Sequence, residues 1–357
     1  MAASPGAPPG ARAPPRFTLD QYVDGILGGN RTILARAITL VESSRPDHQL
    51  LAQELIDRLL PHTGRSMRIG LTGVPGVGKS ALIEALGCRL TEQGHRVAVL
   101  SIDPSSVRSG GSLLGDKTRM ACLAADPNAF IRPSPTGLVL GGVARKTRET
   151  MLVCEAAGWD VILVEMVGVG QSEVTVANMT DFLLVLMLAG AGDELQGIKR
   201  GLLELADMIA VTKAEGDNLV RANLAATRYA FAMHLLHGGE DGKLPPVTTC
   251  SAFEGTGLDQ IWRLISEKIR EEERTGEFQA RRRRQMTMWM WSLVDEQIRE
   301  VLRTADGIRR IADEAERNVE LGTLSPVSGS QAIVRALCFS GVKSVGRAGP
   351  ASSGADS

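Results

Sequence analysis

The chain has 357 residues, of which 43% are hydrophobic and 23% are charged, and this composition is typical of a globular protein large enough to bury a substantial core. Its formal net charge of −1 excludes a general electrostatic attraction to nucleic acid or to an anionic membrane surface, so we expect neither as a partner. The five cysteines have no paired spacing and no apolar signal segment opens the chain, which favours a reducing, cytoplasmic location.

The N-terminal part of the sequence changes character at residue 17. Residues 1–16 are rich in Ala, Pro and Gly, a composition that cannot build a core, and we expect a disordered leader there. From residue 17 onward, apolar side chains recur at helical spacing, with breaks at Gly28 and Gly29 and near Pro46. The sequence therefore predicts a helical N-terminal extension over residues 17–66.

The central part, residues 67–275, alternates short apolar runs with helical segments. Six runs are typical of buried strands, at residues 68–72, 97–102, 161–165, 182–188, 208–212 and 247–250. This alternation predicts an α/β domain in which a mostly parallel sheet is covered on both faces. The run at 182–188 is far too short to span a bilayer, so we expect no membrane segment.

The C-terminal part begins with a basic run, residues 281–284, and continues with apolar side chains at helical spacing to about Leu321. This pattern predicts two packed helices over residues 276–323. Such a projecting pair often serves as a dimerisation arm, while packing within one subunit is the alternative that the residues leave open. Residues 324–357 are rich in Ser and Gly, and we expect a mostly flexible tail there.

A glycine-rich segment directly follows the first predicted strand and precedes a predicted helix. This order of strand, loop and helix fits the phosphate-binding loop (P-loop) of nucleotide-binding proteins. Backbone N–H groups of such a loop surround an anion, its lysine reaches the outer phosphates, and the next hydroxyl binds Mg²⁺. The predicted nucleotide-binding residues here are Gly73, Val74, Pro75, Gly76, Val77, Gly78, Lys79, Ser80 and Ala81.

Acidic residues follow two other predicted strands, at the sheet edge where ligands bind in open α/β sheets. Asp103 comes directly after one strand, and Asp116 lies in the loop that continues from it. Glu165 ends another strand and is followed by Gly168, whose N–H can sense a γ-phosphate; a strand end that contains glycines by chance is the alternative. The predicted metal-shell residues are Ser80, Asp103, Asp116 and Glu165. The predicted catalytic residues are Lys79, Asp103, Asp116, Glu165 and Gly168.

Another glycine-containing loop, residues 190–194, follows the strand at 182–188 and leads towards Lys199. It is compatible with a switch that senses a partner. It is equally compatible with an ordinary helix entry whose acidic first turn complements the helix dipole. The residues alone leave these two interpretations open.

Five segments taken together resemble the MeaB/MMAA family in the order and length of their motifs. They are residues 72–80, 103–106, 115–120, 141–145 and 167–173, within a similarity that runs from about Thr32 to Leu321. Members of that family are GTPases that chaperone adenosylcobalamin-dependent acyl-CoA mutases. The resemblance implies a P-loop GTPase fold, GTP or GDP and Mg²⁺ as ligands, and a homodimer formed by the C-terminal helices.

The same resemblance implies a function and further site residues. The protein would gate adenosylcobalamin delivery to a mutase such as methylmalonyl-CoA mutase and protect that enzyme, with GTP hydrolysis as the timing step. The protein itself would meet adenosylcobalamin only through the mutase. The implied base pocket comprises Thr212, Lys213, Glu215, Ser251, Ala252 and Phe253. The implied partner switch comprises Gln171, Asp193 and Lys199.

The chain departs from the family pattern in the base pocket. Where guanine-binding relatives have Asn-Lys-x-Asp, this chain has Thr212 and Glu215. A glutamate carboxylate lies one methylene farther out than that of aspartate, and threonine lacks an amide donor, so we expect altered guanine affinity. Met166, in place of a threonine, predicts an altered hydrolysis rate or an altered stiffness of the switch. A nucleotide-dependent binding module that hydrolyses poorly is therefore the alternative function, and a small-molecule kinase is a weaker third.

Overall fold

The computed structural model describes residues 17–103, 120–135, 140–166, 172–190, 200–237 and 244–345. These residues contain a seven-stranded sheet with the order β3-β2-β4-β1-β5-β6-β7, in which every neighbouring pair is parallel. The predicted α/β fold is confirmed. The strands are β1 (Met67–Gly73), β2 (Val97–Asp103), β3 (Ala129–Pro135), β4 (Val161–Met166), β5 (Phe182–Leu188), β6 (Met208–Thr212) and β7 (Val247–Thr249).

The edge strand β3 is absent from the six strands predicted from the sequence. It pairs with β2 along its whole length, from Val97↔Ala129 to Asp103↔Pro135. Pro133 and Pro135 have no backbone N–H to donate, and proline is accepted in a sheet chiefly at an edge. The prolines interrupt the apolar run that would have indicated a strand, and the edge position explains why the fold tolerates them.

Helices connect the strands and flank the sheet. In the described residues they are α1 (Leu19–Leu27), α2 (Arg31–Glu42), α3 (Pro46–Leu59), α4 (Lys79–Glu92), α5 (Ala121–Ala125), α6 (Leu140–Ala156), α7 (Ser172–Ala177), α8 (Arg200–Leu205), α9 (Leu219–His237), α10 (Leu258–Thr275), α11 (Glu277–Thr304), α12 (Asp306–Glu320) and α13 (Pro326–Val345). Two of the first helices begin at strong caps. Thr18 forms a capping box with Gln21, and the Asn30 side chain accepts from the N–H groups of Thr32 and Ile33.

The two faces of the sheet bury separate apolar clusters. On one face, α1, α2 and α3 contribute the fully buried Ile26, Ile38 and Leu55, which share a cluster with residues of α6 and of strands β2, β4 and β5. On the other face, α4 and α10 contribute the fully buried Leu86 and Ile265. The helical segment predicted as an N-terminal extension is therefore part of the main core.

The chain divides into two compact units, Met1–Gln285 and Met286–Ser357. In the second unit α12 packs against α13, and a Cβ at Gly329 would come within 3.3 Å of Val319 Cγ2. A small residue there allows the two helices to approach closely. Helix α13 lies within the segment for which the sequence predicted a mostly flexible tail. The dimerisation role of this region stays a prediction.

None of the helices that the structure describes is long and apolar enough to cross a membrane. All five cysteines are free. The cytoplasmic location stays a prediction from the sequence.

Candidate nucleotide-binding site

The phosphate-binding loop joins the carboxyl end of β1 to the first turn of α4. Gly73 has a φ of 152°, and a Cβ atom there would lie 2.5 Å from the carbonyl oxygen of Leu186, so only glycine fits. Gly78 has a φ of 98° and immediately precedes Lys79, the first residue of α4. Val77 is fully buried and anchors the loop to the core. The loop therefore presents its backbone at a helix N-terminus, which favours an anion.

Lys79 folds back onto the loop that precedes it. Its Nζ donates to the carbonyl oxygens of Gly73, at 2.7 Å, and Val74, at 3.2 Å. Burial lowers the pKa of Lys79, while the negative charge of Glu165 partly opposes that shift. Both present partners are backbone carbonyls, which phosphate oxygens can replace as acceptors.

A hydroxyl and a carboxylate meet beside the loop. Ser80 Oγ donates to Glu165 Oε1 at 2.9 Å, and Ser101 Oγ donates to Glu165 Oε2 at 3.3 Å. The sheet order explains this meeting, because Glu165 lies in register with Leu71 of β1 on one side and with Ser101 of β2 on the other. Hydroxyl and carboxylate oxygens are the donors that suit Mg²⁺. Ser80 and Glu165 therefore fit the predicted cation.

The structure describes only some of the remaining predicted acids and switch residues. Asp103 ends β2, where the preceding Ile102 is in register with Met166, so its backbone reaches the same sheet edge as Glu165. Met166 is 3% exposed and belongs to the apolar cluster shared with α1 to α3, so this departure from the family acts through packing. The predicted residues outside the described part of the chain are Asp116, Gly168, Gln171, Asp193 and Lys199.

Thr212 links the predicted base pocket to the phosphate-binding loop. It is 4% exposed, and its hydroxyl lies 2.6 Å from the carbonyl oxygen of Val77 and 3.2 Å from that of Met187. A hydroxyl has a single proton to donate, and here the acceptors are both inside the protein. Thr212, which stands where guanine-binding relatives have asparagine, therefore connects the end of β6 to the phosphate-binding loop and to β5.

Lys213, Glu215 and Ser251 form the other side of the predicted base pocket. Lys213 has a φ of 57°, a left-handed conformation that non-glycine residues seldom adopt and that is often found at functional sites. Ser251 is fully buried and its hydroxyl donates to Glu215 Oε2, which fixes the carboxylate. Ala252 follows at the surface boundary, and Phe253 is 90% exposed.

Two contributors to the site were not singled out from the sequence. Ser101 is the hydroxyl residue in the otherwise apolar run 97–102 of β2, and a polar residue inside an apolar run was the available signal. Asn218 Nδ2 donates to the carbonyl oxygen of Lys213 at 2.6 Å and so stabilises the left-handed conformation there. Asn218 gave no signal, because polar residues are expected in any turn.

The family described as methylmalonyl-CoA mutase-associated GTPase MeaB matches residues 34–307 of the chain. This match includes the phosphate-binding loop, Glu165 and the loops of the predicted base pocket. It is therefore not confined to the nucleotide-binding motif.

Individual relatives extend over most of the chain. A probable GTPase of Mycobacterium tuberculosis is 53% identical over 317 residues, which cover 89% of this chain and 94% of that protein. The mitochondrial methylmalonic aciduria type A homolog of Mus musculus is 44% identical over 328 residues, covering 89% of this chain and 79% of the mouse protein. The crystal structure of an LAO/AO transport system kinase is similar with a TM-score of 0.72 at 38% identity, covering 89% of this chain and 96% of that one.

Proposed function

This chain belongs to the MeaB family of methylmalonyl-CoA mutase-associated GTPases, and we propose that it uses GTP hydrolysis to gate adenosylcobalamin delivery to an acyl-CoA mutase and to protect that enzyme. The GTPase activity follows from the family. The observation that carries the proposal is the meeting of Lys79, Ser80 and Glu165 at one sheet edge, in a chain that the family matches over residues 34–307.

The residues at the phosphate-binding loop suggest how hydrolysis proceeds. Lys79 exchanges its loop carbonyls for the outer phosphates, and its charge stabilises the charge that develops as water attacks the γ-phosphate in line. Ser80 and Glu165 would hold Mg²⁺, which when bound would supply positive charge to the phosphate oxygens. Asp103 and Asp116 would complete the metal shell or orient the attacking water. No covalent intermediate is required.

The coupling to a mutase is assigned to the predicted switch residues. In the proposal, the N–H of Gly168 responds to the γ-phosphate and Gln171 moves with it. Asp193 and Lys199 belong to a second switch that contacts the mutase. The family resemblance of residues 167–173 supports this part, and hydrolysis would change which surface the mutase meets.

Single-turnover GTP hydrolysis, measured alone and with methylmalonyl-CoA mutase, tests the proposal. We expect the mutase to raise the hydrolysis rate constant, and we expect GTP and GDP to differ in their effect on adenosylcobalamin transfer. Lys79→Ala is the control, because it should remove both nucleotide effects while leaving the fold intact. The chaperone function would be contradicted if the mutase did not change the rate of GTP hydrolysis and the bound nucleotide did not change the rate of adenosylcobalamin transfer.

A nucleotide-dependent binding module with relaxed base specificity is the second candidate, and the contacts of Thr212 favour it. Its hydroxyl is engaged by the carbonyls of Val77 and Met187, so it offers no free donor to a base. Glu215, in contrast, retains a carboxylate that can accept hydrogen bonds from the guanine N1–H and amino group. Equal affinities for GDP and ADP, with guanine preference restored in a Thr212→Asn, Glu215→Asp double variant, would support this candidate.

We further propose that the second unit forms a homodimer. Large apolar side chains of this unit are exposed, including Met290 at 50%, Trp291 at 60% and Val301 at 42%. Exposed apolar clusters of this kind are typical of interfaces. Sedimentation velocity should report a dimer for the unsubstituted protein and a monomer for Trp291→Lys, and a monomer in both cases would contradict the proposal.

A further inference from the structure

Three metal-ligating side chains that are not among the predicted nucleotide-site residues come together. Glu84 and Cys88 lie one turn apart on α4, and Cys122 is the second residue of α5. A carboxylate oxygen and the two Sγ atoms all lie within 4.8 Å of one another, and the two Sγ atoms are 2.9 Å apart. None of these three residues takes part in the nucleotide-binding geometry.

The backbone holds this group of residues in place. Gly87 of α4 has no side chain, and a Cβ there would come 2.7 Å from Leu123 Cδ2, so glycine allows Leu123 to pack directly on α4. Leu123 is fully buried, which fixes the start of α5 against α4. The Glu84 carboxylate accepts from the backbone N–H of Cys122 at 2.7 Å. The thiol of Cys122 is therefore held over Cys88 by contacts that do not involve sulfur.

The donor set indicates which ligand would bind. Two thiol sulfurs and one carboxylate oxygen match the mixed sulfur and oxygen ligands of Zn²⁺ and similar borderline-soft divalent cations, whereas Mg²⁺ and Ca²⁺ select oxygen alone. Cys122 is exposed and Cys88 is half-buried, so solvent can reach the group and supply a fourth ligand.

We propose that Glu84, Cys88 and Cys122 form a site for a divalent cation of the Zn²⁺ type, completed by water. Binding releases the two thiol protons to solvent, forms two metal–sulfur bonds and one metal–oxygen bond, and changes no oxidation state. The ion would connect α5 to α4, the helix whose first residues are Lys79 and Ser80. The site is separate from the predicted Mg²⁺ position and does not depend on the proposed function.

Cobalt is the probe that distinguishes thiolate ligation from other binding. The full-length protein is reduced, freed of metal and titrated with Co²⁺ under anaerobic conditions, and the near-ultraviolet thiolate-to-cobalt charge-transfer band is recorded. We expect one cobalt per chain with this band, and displacement of cobalt by Zn²⁺. Cys122→Ser removes an exposed ligand without disturbing packing, and should weaken binding by at least the roughly 10–100-fold that even an outer-shell loss costs.

Cys338→Ser is the matched control, because Cys338 is also exposed but lies on α13 in the second unit. It should bind cobalt like the unsubstituted protein. Added Zn²⁺ should also raise the thermal midpoint of the unsubstituted protein and of Cys338→Ser, but not that of Cys122→Ser. The proposal is overturned if the reduced protein forms no charge-transfer band with cobalt, or if Cys122→Ser binds cobalt as tightly as the unsubstituted protein and with the same band.

Discussion

The parallel strands carry buried charged groups at both of their ends, here called the carboxyl edge and the amino edge of the sheet. The bonding partners of these groups differ between the two edges. At the carboxyl edge, Lys79 bonds to carbonyls of its own loop and Ser80 bonds to Glu165, and a ligand can replace each of these partners. At the amino edge, charged side chains bond to one another and to the first N–H groups of neighbouring strands. A buried charge therefore indicates a ligand site only where its partners are exchangeable.

Aspartates at the amino edge satisfy the starts of strands. Each of three aspartates directly precedes a strand, and its carboxylate accepts a backbone N–H near the start of an adjacent strand. The pairs are Asp160 with Arg96 N at 2.6 Å, Asp181 with Arg68 N at 2.8 Å, and Asp207 with Leu183 N at 2.7 Å. Buried N–H groups need such partners, so these aspartates have a structural role that leaves them unavailable to a ligand.

A network of two cations and two anions completes this edge. Arg282 on α11 donates to Asp181 Oδ1 at 2.5 Å and to Glu155 Oε1 at 3.1 Å, and Arg68 donates to Glu155 Oε1 at 2.7 Å. The side chains of all four residues are at most 9% exposed. Their charges cancel within the protein, which is the condition under which burial of ions is tolerated.

The largest expected effect comes from breaking the amino-edge network. Arg282→Met leaves Asp181 and Glu155 short of a buried partner, and should lower the free energy of unfolding by about 3–5 kcal/mol. Arg284→Met is the matched control, because the Arg284 pair with Glu277 is exposed to solvent and should contribute little to stability. Urea unfolding measures both, and equal losses would contradict the structural role of this edge.

The next largest effect should appear at the carboxyl edge, chiefly in activity. Lys79→Ala should lower the rate of GTP hydrolysis by about 10²–10³-fold, as expected for losing one preorganised donor to the transition state. The folded protein should lose less stability than Arg282→Met does, about 1–3 kcal/mol, because the buried Gly73 carbonyl loses its donor. If Lys79→Ala unfolded more easily than the unsubstituted protein but hydrolysed GTP at the same rate, the carboxyl edge would have a structural role, and its assignment as the ligand site would be contradicted.

A smaller effect should follow from the bond between the base pocket and the phosphate-binding loop. Thr212→Val leaves the Val77 carbonyl without its donor, which should lower the free energy of unfolding by about 1–3 kcal/mol. Because Val77 belongs to the phosphate-binding loop, the substitution should also lower nucleotide affinity. Thr212→Ser keeps the hydroxyl and should behave like the unsubstituted protein. Calorimetric titration with GDP compares them, and equal affinities would show that the bond does not organise the site.

The smallest predicted effect is a pH dependence of stability at the amino edge. Burial by itself would raise the pKa of Glu155, but Arg68 and Arg282 hold it below its ordinary value of 4.5. A carboxylate with a lowered pKa stabilises the fold above its unfolded pKa, and this stability is lost as the pH falls through the folded pKa. The unfolding free energy should therefore fall with acidification below about pH 4.5. Urea unfolding at a series of pH values should show that the unfolding free energy of Glu155→Gln depends less steeply on pH than that of the unsubstituted protein. An unchanged pH dependence would contradict this role of Glu155.

The two edges were not equally predictable from the sequence. The phosphate-binding loop is contiguous, so its residues are in order and its chemistry follows from spacing. The amino-edge network assembles Arg68, Glu155, Asp181 and Arg282, whose partners are set by sheet order and by the position of α11. No local pattern contains that information.

The same reasoning applies within the candidate nucleotide site. Glu165 was predicted because it ends an apolar run, whereas Ser101 was missed because its role depends on β2 pairing with β4. The contact of Thr212 with Val77 joins residues 135 apart and was likewise not foreseen. The edge strand β3 was missed because its prolines obscured the pattern. Sequence spacing predicts the residues that act within one segment, whereas contacts between distant segments depend on how the strands pair in the sheet.

The dissociation constants of GDP and ADP for the unsubstituted protein, measured with Mg²⁺ by calorimetric titration, test the central claim most directly. A GTPase whose carboxyl edge binds the phosphates and whose Glu215 carboxylate contacts the base should bind GDP more tightly than ADP, because guanine alone offers that carboxylate an N1–H and an amino group. Equal binding of the two nucleotides, or tighter binding of ADP, would contradict it.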